Sequence, residues 1–414
     1  MINDESVKAV SAARFGEGSV KPLYDSYNFA RIPGTVFNAL TGENDAALPK
    51  DILNGLPARY DKVILLFIDA FGWRFFERHS DHPLLKRFID SGVVSKLTSQ
   101  FPSTTAVHYT SIHSGQHIGA HGVVESTYYE PLLDRLIAPL MYSYGDIPAY
   151  NSLAGIDAAK FFPTNVLTER LSERGIKSYM FQDRDSYSDL MVKGAHKITP
   201  HRIFSEALVN LSEAVISEPG KAYYFLYYGM IDLFGHQYGP SSRQFDAEID
   251  SVLMALERVL DHALAGKAQN TLLLVTADHG QTELSPETRL YIDQLVPNFV
   301  PMLRTNGQGE MLAPAGSPRD LFLYLRPECL DEAQAMLAET FKGRAEVRAV
   351  RDLIVQGFFG EISDAFLRHA PDLILLPNDH ESVWWMGRSA YVDYGYHGGL
   401  SANEMETILL ARAY

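Results

Sequence analysis

The sequence predicts an α/β domain, a largely parallel central sheet with helices on both faces, and a smaller α+β cap inserted late in the chain. Three observations carry that expectation. Unbroken apolar runs of strand length recur along the chain, amphipathic stretches of helical length separate them, and one interval rich in Gly and Pro breaks the rhythm. A strand covered by helices on both sides has no polar face, so it reads as a continuous apolar run rather than an alternating one.

The first such run is KVILLFID (62–69), followed by KSYMFQ (177–182), AYYFLYY (222–228) and NTLLLVTAD (270–278). PDLILLP (371–377) and METILLAR (405–412) continue the series. Between them, NVLTERLSERG (165–175), RIFSEALVNLSEAVIS (202–217) and RQFDAEIDSVLMALERVLDHALAG (243–266) carry apolar residues at helical spacing. The interval that interrupts this order holds VPNFVPMLRTNGQGEMLAPAGSPRD, then LFLYLRP, a helix near 331–342 and AEVRAVRDLI. The expected division is therefore a core of residues 1–285 and 368–414, with a cap over 286–367. No internal repeat or low-complexity tract is present.

Composition narrows the function. The 414 residues include 36 Lys and Arg against 51 Asp and Glu, a net charge of -15. A surface this acidic disfavours nucleic-acid polymers and anionic lipid, so an anionic substrate needs local positive charge, which metal ions supply. Cys329 is the only cysteine, which excludes an intramolecular disulfide and a Cys-based zinc site. The polar stretch MINDESVKAVSAARFGEG has no apolar segment of signal-peptide length, and no run approaches a membrane span. The expected location is the cytoplasm. Nothing in the sequence specifies an oligomeric state.

Asp and His residues cluster where strands end. Asp69 closes VILLFID, and Asp232 and His236 lie in GMIDLFGHQYGP just after AYYFLYY. Asp278 and His279 close LLLVTADHG, and His397 lies in YGYHGGLSANEM before the last strand. Taken singly, an Asp at a strand end is a turn or cap residue and a lone His is a surface or core residue. Taken together at one edge of a parallel sheet, where ligands bind, they form a donor set suited to Zn²⁺, Mn²⁺ or Fe. A hydroxyl cluster, Ser103, Thr104 and Thr105, precedes the helical stretch AVHYTSIHSG. A hydroxyl at a helix N-terminus meets free N–H groups that favour a phosphate, and a metal can activate it as a nucleophile.

The motifs FIDAFG, FPSTTA…HYTSIHSG…HG, IDLFGHQYGP, TADHG and YHGG, in this order, resemble the alkaline phosphatase superfamily, in particular its nucleotide pyrophosphatase/phosphodiesterase branch. The resemblance runs from residue 62 to about 405. It implies an alkaline phosphatase-like fold and two metal ions bridged by a nucleophilic Thr or Ser. One metal would be held by Asp69, Asp278, His279 and the nucleophile oxygen, the other by Asp232, His236 and His397. In that branch a motif resembling T-F-P-N-H-Y-[ST]-x-x-T-G, followed by H-G, starts at the nucleophile. Counting back from Gly115 and from His121 gives Thr105, with Thr104 the alternative should the register shift by one. The chain departs from the motif in having TAVH for T-F-P-N, and Ser126 where relatives carry a phosphate-contacting Asn. Ser126 and His108 are expected to contact substrate.

Other residues compete for these roles. His113, His117 and His121 are spaced for one helix face, but Gly115 and Gly119 interrupt them, and packing or hydrogen bonding is their expected duty. Asp379 and His380 form a second Asp-His pair, and Trp384, Trp385 and Tyr391 could stack on a substrate base or fill a core. The expected function is a two-metal phosphoric-ester hydrolase acting on a small phosphate ester or nucleotide through a covalent threonine intermediate, most simply a phosphodiesterase or nucleotide pyrophosphatase. The same core would serve a phosphomonoesterase or phosphonate hydrolase, and a non-catalytic metal- or phosphate-binding protein is the reading from another class.

Overall fold

The computed structural model describes all residues except 17, 44, 146–152, 184–190 and 387–392. The strands that position the site are, in chain order, β1 (Lys62–Ile68), β2 (Val93–Thr98), β3 (Lys177–Asp183), β4 (Lys197–His201), β5 (Ala222–Tyr228) and β6 (Thr271–Thr276). They are followed by β7 (Ala315–Ser317), β8 (Asp320–Leu323), β9 (Ala345–Ala349), β10 (Leu373–Pro377) and β11 (Glu406–Ala413). A seven-stranded sheet runs β2-β11-β6-β1-β5-β3-β4, and a four-stranded antiparallel sheet runs β7-β8-β10-β9.

The large sheet is parallel except for β11, which is antiparallel to both neighbours. Its faces separate residue by residue along β1. Val63, Leu65 and Phe67 enter one buried apolar cluster, and Ile64, Leu66 and Ile68 enter the other. That two-sided burial is what the continuous apolar run encodes. β2 and β4 carry no such run and were not expected. On β2, Lys96 is buried with its ammonium 2.5 Å from Glu406 and 5.2 Å above the Trp73 ring. β4 is an edge strand, and its Lys197, Ile198 and Pro200 are exposed.

Two corrections concern the later strands. The run at 371–377 forms a strand, β10, but it pairs with β8 and β9 in the small sheet and not with the central one. An apolar run reports burial on both faces; it does not say which sheet provides it. The small sheet thus draws strands from both sides of residue 367, where the cap was expected to end. The last strand forms as expected but runs against its neighbours. Its first residue, Glu406, therefore pairs with Thr98, the last residue of β2, so the loop before β11 arrives at the edge where the parallel strands finish.

Pairing register aligns those ends. Lys62 pairs with both Ala222 and Thr271, so β1, β5 and β6 run level. The loops that leave β1 and β6 cross at two glycines: a Cβ on Gly72 would lie 2.7 Å from Gly280 Cα and 3.0 Å from Glu406 O. Among the described residues no helix is long and apolar enough to cross a membrane. Gly72→Ala should push the two loops apart at a cost of about 1–3 kcal/mol, as overpacking does. The check is a lower urea midpoint at unchanged m-value.

Candidate metal centre

Asp69 is the first residue past β1, and its N–H donates to Tyr228 O at 2.9 Å. The chain then turns left-handed at Ala70 (φ 60). That conformation costs a non-glycine residue about 1–2 kcal/mol. It aims the Ala70 N–H at Asp278 Oδ1, 3.1 Å away, so the loops carrying the two carboxylates are tied together. Asp232 and His236 stand one turn apart on α2 (Met230–Tyr238), the helix that follows β5, with Nε2 and Oδ2 3.2 Å apart. α1 (Thr105–Ser114) begins at the expected hydroxyl.

The structure brings the seven expected residues to one edge. Asp69, Asp278 and His279 each offer a ligand atom within 4.8 Å of the others, and so do Asp232, His236 and His397. The His279 and His397 rings stack with centroids 3.6 Å apart, which sets the two groups side by side. Thr105 Oγ1 donates to Asp69 Oδ2 at 3.3 Å and lies 3.4 Å from His279 Nε2.

The three hydroxyls have separate duties. Ser103 Oγ donates to Gly399 O at 2.9 Å and accepts from Gly398 N–H at 3.0 Å. Thr104 stands at the N-cap position of α1, yet its hydroxyl is paired with Ser126 Oγ at 2.8 Å and not with a helix N–H. Only Thr105 faces the acidic cluster.

Each histidine of the site is anchored alike. Nδ1 donates to a backbone carbonyl: His236 to Gly395 O at 2.9 Å, His279 to Gly280 O at 3.0 Å and His397 to Ser103 O at 2.7 Å. A carbonyl only accepts, so Nδ1 carries a hydrogen and Nε2 is the nitrogen turned to the carboxylates, a donor when the ring is charged and a lone pair when it is neutral. His279 Nε2 lies 3.1 Å from Asp278 Oδ2 and 3.6 Å from Asp69 Oδ1. Those two oxygens are buried and have no hydrogen-bond partner among the described residues. Two unpartnered carboxylate oxygens beside an imidazole nitrogen call for a proton or a cation between them.

The titration pattern says the same. Burial, then the charges of Asp278 and Asp232, push the Asp69 carboxyl well above its ordinary range. Burial would lower His236, but the Asp232 carboxylate beside it overrides this and raises the imidazole to about 9. His397, buried and next to His279, falls to about 3. Three carboxylates and three imidazoles with Nε2 turned inward fit two divalent cations in both charge and donor type.

Other expected residues fall outside the cluster. His108 does not line a pocket: the ring is fully buried, Nδ1 donates to Thr104 O at 2.7 Å and Nε2 accepts from Gln100 N–H at 2.9 Å. It ties the start of α1 to the end of β2. Ser126 is exposed beside the site, bonded to Thr104. His113 packs edge-on against Tyr109 and Phe225, His117 lies over Tyr24, and His121 bonds to Ser111 Oγ and Val123 N–H. Asp379 accepts from Thr282 and Asn403, and His380 is exposed. Trp384 and Trp385 belong to the apolar cluster of the small sheet; Tyr391 lies outside the described residues.

Two contacts had no reading in the sequence. Tyr227 Oη donates to Asp69 Oδ2, and Gln281 Nε2 donates to Asp232 O at 3.0 Å and to its Oδ1 at 2.5 Å. Gln281 stands two residues after His279, a usable signal. Tyr227 is one of four tyrosines in AYYFLYY, and nothing local distinguishes it.

A family model described as type I phosphodiesterase / nucleotide pyrophosphatase matches residues 63–399. The human bis(5′-adenosyl)-triphosphatase ENPP4 is 23% identical over 254 residues, which cover 57% of this chain and 51% of that protein. The mouse ectonucleotide pyrophosphatase/phosphodiesterase family member 7 is 24% identical over 251 residues, covering 58% and 54%. The chain spans about half the length of these curated relatives. Among solved structures, an inactive variant of murine ectonucleotide pyrophosphatase/phosphodiesterase 5 in complex with AMP matches with a TM-score of 0.67 at 17% identity, covering 85% of this chain and 88% of that one. At this identity the likeness is one of fold.

Tyr227→Phe removes a donor to Asp69 without changing shape. It should weaken divalent-cation binding by about tenfold, as loss of an outer hydrogen bond to a candidate ligand does. Chelator competition on the metal-free protein measures this, with the circular dichroism spectrum unchanged.

Proposed function

The chain belongs to the type I phosphodiesterase / nucleotide pyrophosphatase family, and from that membership we propose that it is a two-metal hydrolase of phosphodiester or phosphoanhydride bonds in small nucleotide-like substrates, acting through Thr105. The observation that carries the proposal is the Thr105 hydroxyl, at the start of α1 and 3.3 Å and 3.4 Å from Asp69 and His279, which belong to one of two adjacent ligand groups. The family is one of two-metal enzymes, and this chain has two candidate ligand sets. In the proposal Asp69, Asp278 and His279 hold one cation and Asp232, His236 and His397 the other. Three imidazoles among six ligands favour Zn²⁺, with Mn²⁺ and Fe as the alternatives.

Bound cations would lower the pKa of the Thr105 hydroxyl, offset phosphoryl charge and stabilise the leaving oxygen. The chain's own residues do the rest. The hydrogen bond to Asp69 Oδ2 orients the Thr105 oxygen. Free N–H groups of the first turn of α1 receive the non-bridging phosphoryl oxygens. Thr105 Oγ1 gives its proton to solvent and forms a bond to phosphorus as the bond to the leaving oxygen breaks on the opposite side; water then cleaves the phosphorylated or nucleotidylated threonine, its oxygen going to phosphorus and a proton returning to Oγ1. The carbonyl anchors on Nδ1 keep all three imidazoles in one tautomer throughout. A cytoplasmic location, read from the sequence, belongs to the same proposal, and cell fractionation checks it.

Thr105→Ala should cut turnover by about 10³-fold or more, while Zn²⁺ content and circular dichroism stay as in the wild type; retained turnover sinks the assignment. A panel of bis-p-nitrophenyl phosphate, dinucleoside polyphosphates, p-nitrophenyl phosphate and phosphonates, with Zn²⁺ or Mn²⁺ added, should rank diesters and anhydrides first. Preference for p-nitrophenyl phosphate or a phosphonate would move the chain to one of the other reactions this core supports. Removal of metal by EDTA should abolish activity, and Zn²⁺ should restore it.

A further inference from the structure

A hairpin tip of the small sheet reaches into the ligand loop. β7 and β8 are joined by Pro318 and Arg319, with Ser317 paired to Asp320 across the turn. Arginine at a hairpin tip ordinarily reaches water, but Arg319 is 1% exposed. Its Nε and Nη2 donate to the two carboxylate oxygens of buried Glu404 at 2.9 and 2.8 Å, and Nη1 donates to Asn378 O and Glu381 O. Glu404 Oε1 also accepts from Gly399 N–H at 2.9 Å, two residues past His397.

The same tip touches His397 itself. Ser317 Oγ lies 3.2 Å from His397 O, accepts from Arg319 N–H at 3.1 Å and is in hydrogen-bond contact with Asp320 Oδ1. Gly398 fits between: its φ is +126, and a Cβ there would lie 2.6 Å from both Asp320 Oδ1 and Ser317 Oγ. From the other side Ser103 O accepts from the His397 ring. His397 is thus gripped by the core at its ring and by the small sheet at its carbonyl.

Its need for such support differs from that of the other expected ligands. Asp232 and His236 are fixed by α2, and Asp69, Asp278 and His279 lie within three residues of β1 or β6. His397 follows only a two-residue strand, Gly395–Tyr396.

We infer that the Ser317–Asp320 hairpin tip is a positioning element for His397, holding its loop so that Nε2 faces Asp232 and His236, and thereby completing one cation site and not the other. The inference rests on the two-cation reading above. Ser317 and Asp320 touch no reacting group. They act through the backbone of the His397 loop, while the Arg319–Glu404 pair locks the tip to the segment before β11.

Titration of the metal-free, full-length protein with Zn²⁺ against a chromophoric chelator tests this. The wild type should give two dissociation constants, assigned with His236→Ala and Asp278→Asn, each of which removes one. Ser317→Ala should raise the constant that His236→Ala removes by about tenfold and leave the other unchanged. Ser317→Cys keeps the volume with a weaker donor and should fall between wild type and Ser317→Ala; it carries the test should the alanine variant not fold. No change at either site, or equal weakening of both, overturns the inference. A wild type that takes up fewer than two Zn²⁺ overturns the two-cation reading and this inference with it, whereas two tight Zn²⁺ sites unaltered by Ser317→Ala overturn the inference alone.

Discussion

Asp69 and Asp278 are fully buried and Asp232 is largely so, and the ion pairs drawn around them are with His236, His279 and His397. Placing that much negative charge out of water is costly unless positive charge accompanies it. The surrounding structure can be understood from this constraint. Carbonyls fix the outer nitrogen of each imidazole, so the inner nitrogens face the carboxylates and the cluster forms a candidate donor set for cations. The net charge of -15 makes the same point on a larger scale, because an anionic substrate of the kind proposed would need local positive charge, which cations bound at this cluster would supply.

Bringing those charges together is a problem of backbone proximity. Strands β1, β5 and β6 run level, so their ends are neighbours, and the left-handed turn at Ala70 and the Gly72–Gly280 crossing let the adjoining loops approach within contact. The antiparallel β11 contributes from the other direction. A parallel strand there would have brought its preceding loop to the opposite edge, and His397 could not have met Asp232. The small sheet then reaches back through Arg319 and Ser317, so it is bonded to the loop that carries His397 as well as lying beside the central sheet.

Much of the site was legible because its parts have local signatures. Asp69, Asp278 and His279 follow apolar runs directly, and Asp232 and His236 are one helical turn apart. Thr105 was reached by counting from Gly115 and His121, and the structure places it at the first position of α1. His108 departs from its expected substrate contact because a histidine three residues from a hydroxyl gives no sign of which way its ring turns; burial and two backbone partners decide that. Tyr227 was invisible because alternate tyrosines of one strand differ only in the face they occupy.

By itself the sequence determined the class of fold, the edge where the candidate ligands collect and the kinds of donor gathered there, since strand length, helical spacing and residue type are local properties. Only the tertiary structure decided that β10 belongs to the small sheet, that β11 runs backwards, that Thr104 and Ser103 are engaged elsewhere, and that a hairpin tip with a buried arginine grips the His397 loop. Each of those depends on which buried surface meets which. An apolar run or a hydroxyl records that it will be covered or bonded, and the partner lies too far along the chain for its own residues to name.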